Sequence, residues 1–183
     1  MTQQRNKVRI IGGQYRRRLL DVPAVEGLRP TPDRVRETLF NWLGQDLHGL
    51  RCLDLFTGSG ALGFEAASRG AGEVVLVEKV RGVAEGLRRN AQLLGASHLQ
   101  VQCQDALSFL RGASTAFDVI FVDPPYGSNL LDQVLPCLAA VLAPAGRVYV
   151  ETAEARDFAG WHVLRSIRAG QVHGYLLVRE TDI

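Results

Sequence analysis

From Leu50 onward, short apolar runs alternate with longer stretches in which apolar residues recur at helical spacing. The connections between the runs are long enough for helices that cross from one parallel strand to the next. Such alternation predicts right-handed βαβ units, and therefore an α/β fold with a parallel sheet covered by helices on both faces. The predicted strands are 52–56, 73–77, 99–103, 117–122 and 147–151, and the predicted helices are 61–69, 81–94, 105–111 and 129–142.

The two ends of the chain show other patterns. Residues 8–20 form two extended runs around a Gly-Gly pair, which predicts a β-hairpin. After a loop, Thr31 can cap a helix and Pro32 suits its first position, and the apolar spacing that follows predicts a helix over about 32–47. At the C-terminus, two extended runs flanking Ala169-Gly170 predict an antiparallel pair that closes the sheet.

Length and composition are those of one globular domain. The chain has 183 residues, of which 46% are hydrophobic and 22% charged. No apolar run approaches the length of a membrane span, and the N-terminus lacks the apolar core of a signal peptide. The three cysteines have no metal-ligand spacing and lie in apolar segments, which predicts buried reduced thiols, no metal site and a cytoplasmic location.

The net charge of +2 is unevenly distributed along the chain. The first 20 residues contain six basic side chains and no acid: Arg5, Lys7, Arg9, Arg16, Arg17 and Arg18. The remaining residues hold 15 basic and 19 acidic side chains, a net charge of −4. This asymmetry favours a polyanionic partner for the N-terminal segment, and a solubilising tail is the alternative interpretation.

The segment LDLFTGSGALGFEA, residues 53–66, contains the end of a predicted strand, a glycine turn and the start of a helix. Gly58, Gly60 and Gly63 match the spacing G-x-G-x-x-G, and Glu78 ends the next strand. Taken alone, this pattern fits a dinucleotide site, although glycines that serve only a tight turn would give the same spacing.

Asp54 favours S-adenosylmethionine over a dinucleotide. It precedes the glycine turn, where a carboxylate would repel a pyrophosphate but attract the ammonium and sulfonium groups of S-adenosylmethionine. Glu78 can then accept hydrogen bonds from the ribose hydroxyls. Asp105, after the third strand, can accept from the adenine amine or cap the following helix, and the sequence leaves both roles open. The three acids end successive strands, at the edge where such sheets bind ligands.

The stretch VDPPYG, residues 122–127, ends the fourth predicted strand at the same edge. Two prolines remove two backbone donors and stiffen the turn. An exocyclic base amine is a poor nucleophile because its lone pair is delocalised, and acceptors aimed at its N–H bonds would expose that lone pair. The Asp123 carboxylate and the Pro124 carbonyl can supply these acceptors, and Tyr126 can stack on an unpaired or flipped base. A simple turn with a surface tyrosine is the alternative interpretation.

Four segments together resemble the RsmD family of bacterial 16S rRNA (guanine-N2)-methyltransferases: DLFTGSGALGFEAASRGA, DPPY, RPTPDRVRETLFNWL and VRIIGGQYRRRLL. The resemblance extends from about Val8 to the end of the chain, and the arginine-rich hairpin with the helix after it is its most specific part. It implies a Rossmann-like class I methyltransferase fold, with seven strands of which the last is antiparallel. Residues 1–30 would form a basic β-hairpin arm, and 31–183 the methyltransferase domain with its leading helix.

The resemblance also implies roles for individual residues. Asp54, Gly58, Gly60 and Glu78 would bind S-adenosylmethionine, to which the strand-end position adds Asp105, and Asp123, Pro124 and Tyr126 would hold the base and perform the chemistry. The charge asymmetry assigns RNA binding to the arm, with Arg16, Arg17 and Arg18 at its centre. The expected partner is 16S rRNA in the small ribosomal subunit or an assembly intermediate, and the expected state is a monomer.

Three rival functions fit parts of the pattern. A DNA adenine-N6 methyltransferase would use the same Asp-Pro-Pro-Tyr stretch, but such enzymes generally need a separate recognition domain for which this chain has little room. A nicotinamide-dependent oxidoreductase is disfavoured by Asp54 and by the lack of a substrate domain. A non-catalytic RNA-binding assembly factor would not need the intact stretch from Asp123 to Tyr126.

Overall fold

The computed structural model describes residues 6–23, 28 and 30–183. The strands are β1 (Asn6–Arg9), β2 (Leu19–Val22), β3 (Arg51–Asp54), β4 (Glu73–Val77), β5 (Leu99–Gln102), β6 (Phe117–Val122), β7 (Leu142–Thr152), β8 (Trp161–Ala169) and β9 (Val172–Arg179). The α-helices are α1 (Asp33–Trp42), α2 (Ala61–Ser68), α3 (Arg81–Leu94), α4 (Ala106–Gly112) and α5 (Leu130–Val141).

Seven strands form one sheet in the order β5-β4-β3-β6-β7-β9-β8. The first five strands of this order are parallel, and β9 lies antiparallel between β7 and β8. The predicted α/β sheet, with its antiparallel last strand, is therefore confirmed. The chain order reverses between β3 and β6, and this is the point at which open α/β sheets bind ligands beyond the carboxyl ends of their strands.

Each face of the sheet has its own apolar core because side chains alternate along a strand. On β6, Val119 and Phe121 pack with α1, α2, α3 and the β1–β2 hairpin, whereas Ile120 and Val122 pack with α4 and α5. The hairpin contributes Ile10 to the first of these cores, so it is packed against the sheet rather than projecting from it.

The hairpin is held in place by Glu65, a fully buried carboxylate in the middle of α2. Its two oxygens accept hydrogen bonds from the backbone N–H groups of Ile11 and Gly12, at 2.9 and 2.8 Å. They also accept from the guanidinium groups of Arg36 on α1 (3.3 Å) and Arg69 (2.9 Å). Four donors thus satisfy a charge that would be costly to bury alone.

Arg36 extends this network to the start of α1. Its side chain is 1% exposed and donates to the backbone carbonyls of Arg9 (3.0 Å) and Thr31 (3.2 Å). It also pairs with Asp33 at 2.6 Å. Thr31, two residues before α1, is therefore fixed relative to both the hairpin and α2.

The helix predicted over 32–47 is shorter than expected. Helix α1 ends at Trp42 because Gly44 and Gln45 adopt left-handed backbone conformations, and the Gln45 N–H closes the end of the helix on the Phe40 carbonyl. The prediction that Thr31 caps this helix is wrong. Pro32 occupies the N-cap position, and no side chain caps the helix there.

Two further expectations need correction. The two hairpin strands are shorter than predicted and are separated by more residues along the chain. The reason is that residues 11–16 form a loop in which Gly12 and Gln14 bond to α2 instead of to the opposite strand. The prediction of three buried thiols holds for Cys52 alone, since Cys137 is half-buried and Cys103 is exposed. Strand β5 lies at the sheet edge and ends one residue before Cys103.

No helix in the described ranges is long and apolar enough to span a bilayer. The same residues contain no cluster of three or more His, Cys, Asp or Glu side chains arranged to hold a metal ion.

Replacing Glu65 with alanine should lower the free energy of unfolding by about 3–5 kcal/mol, because Arg36 would keep its burial and lose its buried partner. Urea unfolding measures this change. Glu85→Ala is the control, since Glu85 also forms an i,i+4 ion pair with an arginine, Arg81, but on the exposed surface of α3. The control should change stability by no more than about 0.5 kcal/mol. Similar losses in the two variants would mean that Glu65 does not anchor the hairpin.

Candidate active site

Four carboxylates lie at the carboxyl ends of four adjacent strands and on one face of the sheet. The residue two positions before each acid belongs to the apolar core that packs against α1. Because side chains alternate along a strand, all four acids point toward that same face of the sheet. They are Glu78 after β4, Asp54 at the end of β3, Asp123 after β6, and Glu151 near the end of β7. All four line one cavity of about 640 Å³.

The cavity brings together most of the predicted site residues. Its lining includes Asp54, Gly58, Glu78, Asp105, Asp123, Pro124 and Tyr126. Gly60 does not line it but caps the start of α2 with φ of 83°, where an added side chain would also meet Phe64 and Leu87. Arg16, Arg17 and Arg18 lie elsewhere, exposed in the hairpin loop.

Glu78 fixes the glycine turn by accepting two backbone hydrogen bonds. One comes from the Gly58 N–H at 3.1 Å, and the other comes from the Val80 N–H at 2.8 Å. The Thr57 N–H also bonds to the Val77 carbonyl at 3.1 Å. A carboxylate has about four acceptor positions, so Glu78 keeps capacity for a ligand while it holds the turn against β4.

Asp54 is a buried acid at the base of the cavity. It is 2% exposed, and its Oδ2 accepts a hydrogen bond from the Gly63 N–H in the first turn of α2 at 3.0 Å. Burial raises the pKa of Asp54 to about 7, and repulsion from Glu78 and Glu151 adds to this effect while the Gly63 bond opposes it. A ligand that places positive charge near Asp54 would therefore favour its ionised form.

Asp105 caps α4, one of the two roles that the sequence left open. Its Oδ1 accepts from the Ser108 N–H at 3.1 Å. The side chain is exposed and borders the cavity, so its second oxygen can still meet a ligand. The cap is thus confirmed, and the contact with adenine stays a prediction.

The Asp-Pro-Pro-Tyr stretch forms a rigid turn at the rim of the cavity. The Pro125 carbonyl accepts two bonds from Ser128, one from its N–H (3.3 Å) and one from its hydroxyl (2.7 Å). Within the part of the chain that the structure describes, no donor bonds the carbonyl of Pro124, whose ring is buried. Tyr126 is 52% exposed beside it. The turn therefore presents one carbonyl acceptor and one aromatic ring.

Asp123 and Glu151 form a pair of neighbouring acids. Pairing of Val122 with Val150 makes the two acids neighbours on adjacent strands. Burial raises the pKa of Asp123 well above its ordinary value, and the charges of Glu151 and Asp54 raise it further. Burial also raises the pKa of Glu151, against the lowering effect of the Thr31 and Tyr149 hydroxyls. Hydrogen-bond donors on a ligand would therefore favour the ionised form of both groups.

Glu151 lines the cavity but was not among the residues predicted for the site. It is 3% exposed, and its Oε1 accepts from the Tyr149 hydroxyl at 3.0 Å. The available signal was its place at the end of a predicted strand, where the other acids of the site also lie.

A family model described as "Conserved hypothetical protein 95" matches residues 8–178 of this chain. The ribosomal RNA small subunit methyltransferase D of Escherichia coli K12 is 44% identical, over 96% of this chain and 92% of that protein. The chain belongs to the RsmD family.

Solved structures agree with this family assignment. An Escherichia coli structure described as a methyltransferase, YhhF, matches with a TM-score of 0.86 and 45% identity, over 96% of this chain and 99% of that one. The RNA methyltransferase of Salinibacter ruber, solved with S-adenosyl-L-homocysteine, has a TM-score of 0.67 over 83% of this chain and 95% of that one. At 20% identity it supports the fold alone, which is that of a class I methyltransferase.

The stability of the ligand-free protein should decrease as pH rises from about 4 to about 7. Because the pKa of Asp54 is raised from 3.8 to about 7, the folded protein keeps a proton in this range that the unfolded chain has lost. Asp54→Asn should flatten the dependence and make the protein more stable than wild type at about pH 8, by more than about 1 kcal/mol.

Urea unfolding at a series of pH values measures this dependence. Asp157→Asn is the control because Asp157 is exposed and does not line the cavity. An Asp54→Asn curve that runs parallel to wild type would show that Asp54 does not take up a proton in the folded protein.

Proposed function

We propose that this chain transfers a methyl group from S-adenosylmethionine to the exocyclic N2 amine of a guanine in 16S rRNA of the small ribosomal subunit. One observation carries the proposal: the carboxylates suited to a cationic cofactor and the turn suited to a base amine open into the same cavity. The relatives named as rRNA methyltransferases support this class of substrate.

Asp54, Glu78 and Asp105 would hold the cofactor. Asp54 lies at the base of the cavity, bonded to the first turn of α2, and its carboxylate would attract the methionine ammonium group. Glu78 would accept from the ribose hydroxyls and Asp105 from the adenine amine, while Gly58 and Gly60 shape the turn between them. The cavity volume of about 640 Å³ lies within the range for small-molecule sites.

S-adenosylmethionine supplies an electrophilic methyl group when bound. Asp123 and the Pro124 carbonyl would accept the two N–H bonds of the target amine, which localises its lone pair for attack. The raised pKa of Asp123 fits a carboxylate that takes the proton lost by the methylated amine. Tyr126 would stack on the base, which must leave its own stack to enter the cavity.

The exposed arginines of the hairpin loop would bind RNA phosphates. Among the described residues, no acid forms an ion pair with Arg16, Arg17 or Arg18, whereas Lys7 pairs with Asp21 at 3.8 Å and Arg9 pairs with an acid of α1 at 3.4 Å. Arginines that have no acidic partner in the protein can pair with the phosphates of an RNA backbone.

The proposed partner is the small subunit or one of its assembly intermediates, the class of substrate that the names of the relatives indicate. An enzyme can recognise its target nucleotide in a folded particle by the shape around it, and so needs fewer sequence-specific contacts than it would with free RNA. This substrate would place the enzyme in the cytoplasm, acting as a monomer.

Asp123→Ala should slow methyl transfer at least roughly a hundredfold, a loss typical of removing one transition-state acceptor. Cofactor affinity should change little. Small subunits from cells that lack this gene are incubated with cofactor and enzyme, and mass spectrometry of the RNA nucleosides identifies the product. Calorimetry with S-adenosylmethionine measures binding separately. If wild type forms no N2-methylguanosine, the proposed function is wrong. If wild type is active and Asp123→Ala is equally active, only the role of Asp123 is wrong.

Combined substitution of Arg16, Arg17 and Arg18 with alanine should weaken binding to small subunits and flatten its dependence on log salt by about one to three units. Cofactor affinity should be unchanged, because the loop is not part of the cavity. The control replaces three other exposed arginines: Arg111, Arg165 and Arg168. A salt dependence equal to wild type in the first variant would assign the hairpin loop a role other than RNA binding.

A further inference from the structure

Glu151 is a buried carboxylate that the proposed chemistry leaves unused. One of its oxygens accepts from the Tyr149 hydroxyl at 3.0 Å, and the side chain borders the cavity while being 3% exposed. Burial of an ionisable side chain is costly, so a residue in this position needs either a structural partner or a ligand. The Tyr149 and Thr31 hydroxyls meet part of this requirement, and the carboxylate retains acceptor capacity toward the cavity.

The strand order places Glu151 on the side of the cavity away from the cofactor residues. Glu78 and Asp54 follow β4 and β3, Asp123 follows β6, and Glu151 lies on β7 beyond it. Neighbouring strands lie about 4.8 Å apart, so the side chains of Asp123 and Glu151 can accept hydrogen bonds from adjacent groups of one small ring. The ring that Asp123 is proposed to hold is the target base.

The orientation of Glu151 is maintained by a close approach between strands. Tyr149 packs against Gly174 on β9, where an added Cβ would lie 2.6 Å from the tyrosine hydroxyl oxygen. The absence of a side chain at Gly174 therefore leaves room for the hydroxyl that holds Glu151. Because Tyr149 is completely buried, this hydroxyl has little freedom to move.

We propose that Glu151 selects guanine by accepting the N1–H of the base while Asp123 and Pro124 accept the N2 amine. This inference rests on the proposed function. Guanine presents the N1 and N2 donors side by side, which matches two neighbouring acceptors. Adenine carries a lone pair at N1, which would face a carboxylate without a proton between them. Sites built to bond a particular donor reject analogues that lack it far more strongly than apolar pockets do.

Substrates that differ at N1 test the inference. Small subunits are reconstituted with ligated 16S rRNA that carries either guanine or 2,6-diaminopurine at the methylated position. Diaminopurine keeps the 2-amine but has an acceptor at N1. Wild type should strongly prefer guanine. Glu151→Gln, whose amide can donate to that acceptor, should lose roughly 10- to 100-fold in kcat/KM on guanine and show a much smaller preference between the two bases.

Glu154→Gln is the matched control, since Glu154 is an exposed acid three residues further along the chain. It should behave as wild type. Tyr149→Phe provides a second variant, because losing the hydroxyl that orients Glu151 should also reduce the preference for guanine, by several-fold, without changing cofactor affinity. This variant decides the question if Glu151→Gln does not fold, as judged by urea unfolding.

The outcomes separate this inference from the proposed function. If wild type methylates neither substrate, both are wrong. If wild type methylates guanine and neither variant changes the preference between the bases, only the role of Glu151 is wrong. Weakened S-adenosylmethionine binding in Glu151→Gln, with the preference unchanged, would assign Glu151 to the cofactor and also overturn the inference.

Discussion

The buried carboxylate of Glu65 joins the parts of the molecule that the sheet alone would not hold together. It binds the hairpin through two backbone N–H groups and binds α1 through Arg36. Arg36 in turn fixes the carbonyl of Thr31, and Thr31 lines the cavity. The wall of the cavity above the strand ends therefore depends on one side chain of α2. Apolar packing could cover this face of the sheet, but directional bonds to a buried charge set how the covering segments are placed.

The strand ends show the opposite use of charge. Asp54 and Glu151 are buried, and Asp123 is half-buried beside them. None of the three forms an ion pair with a basic side chain among the described residues, and each has a raised pKa. Glu65 is satisfied by the protein itself, whereas these acids repel one another and would be satisfied by ligands. A cationic cofactor beside Asp54 and a base with donors toward the other two would relieve the repulsion. Stability is thus reduced where binding requires it, as is common at functional sites.

Local patterns in the sequence predict the sheet and the side of the cavity that Asp54, Gly58 and Glu78 form. Alternating apolar runs indicate the strands. The spacing around Asp54 and Gly58 indicates a turn formed by residues that are close together in the sequence. Features that depend on distant partners could not be predicted this way. Glu65 accepts hydrogen bonds from residues more than 50 positions away. Glu151 lies beside Asp123 only because β7 pairs with β6. The exposure of Cys103 likewise follows from the position of β5 at the sheet edge.

Helix α2 lies between the cavity and the loop proposed to bind RNA. Its eight residues give it a length of about 12 Å. Its first turn contains the N–H that bonds Asp54, and its last residue, Ser68, bonds the loop that carries the exposed arginines. Because the helix is buried along its whole length and tied by Glu65 at its centre, the distance from the loop to the cavity is fixed. An RNA that contacts both must present its phosphates and its flipped base at that separation. Substrate choice in the proposed function therefore rests on the shape of the folded RNA as well as on the base that enters the cavity.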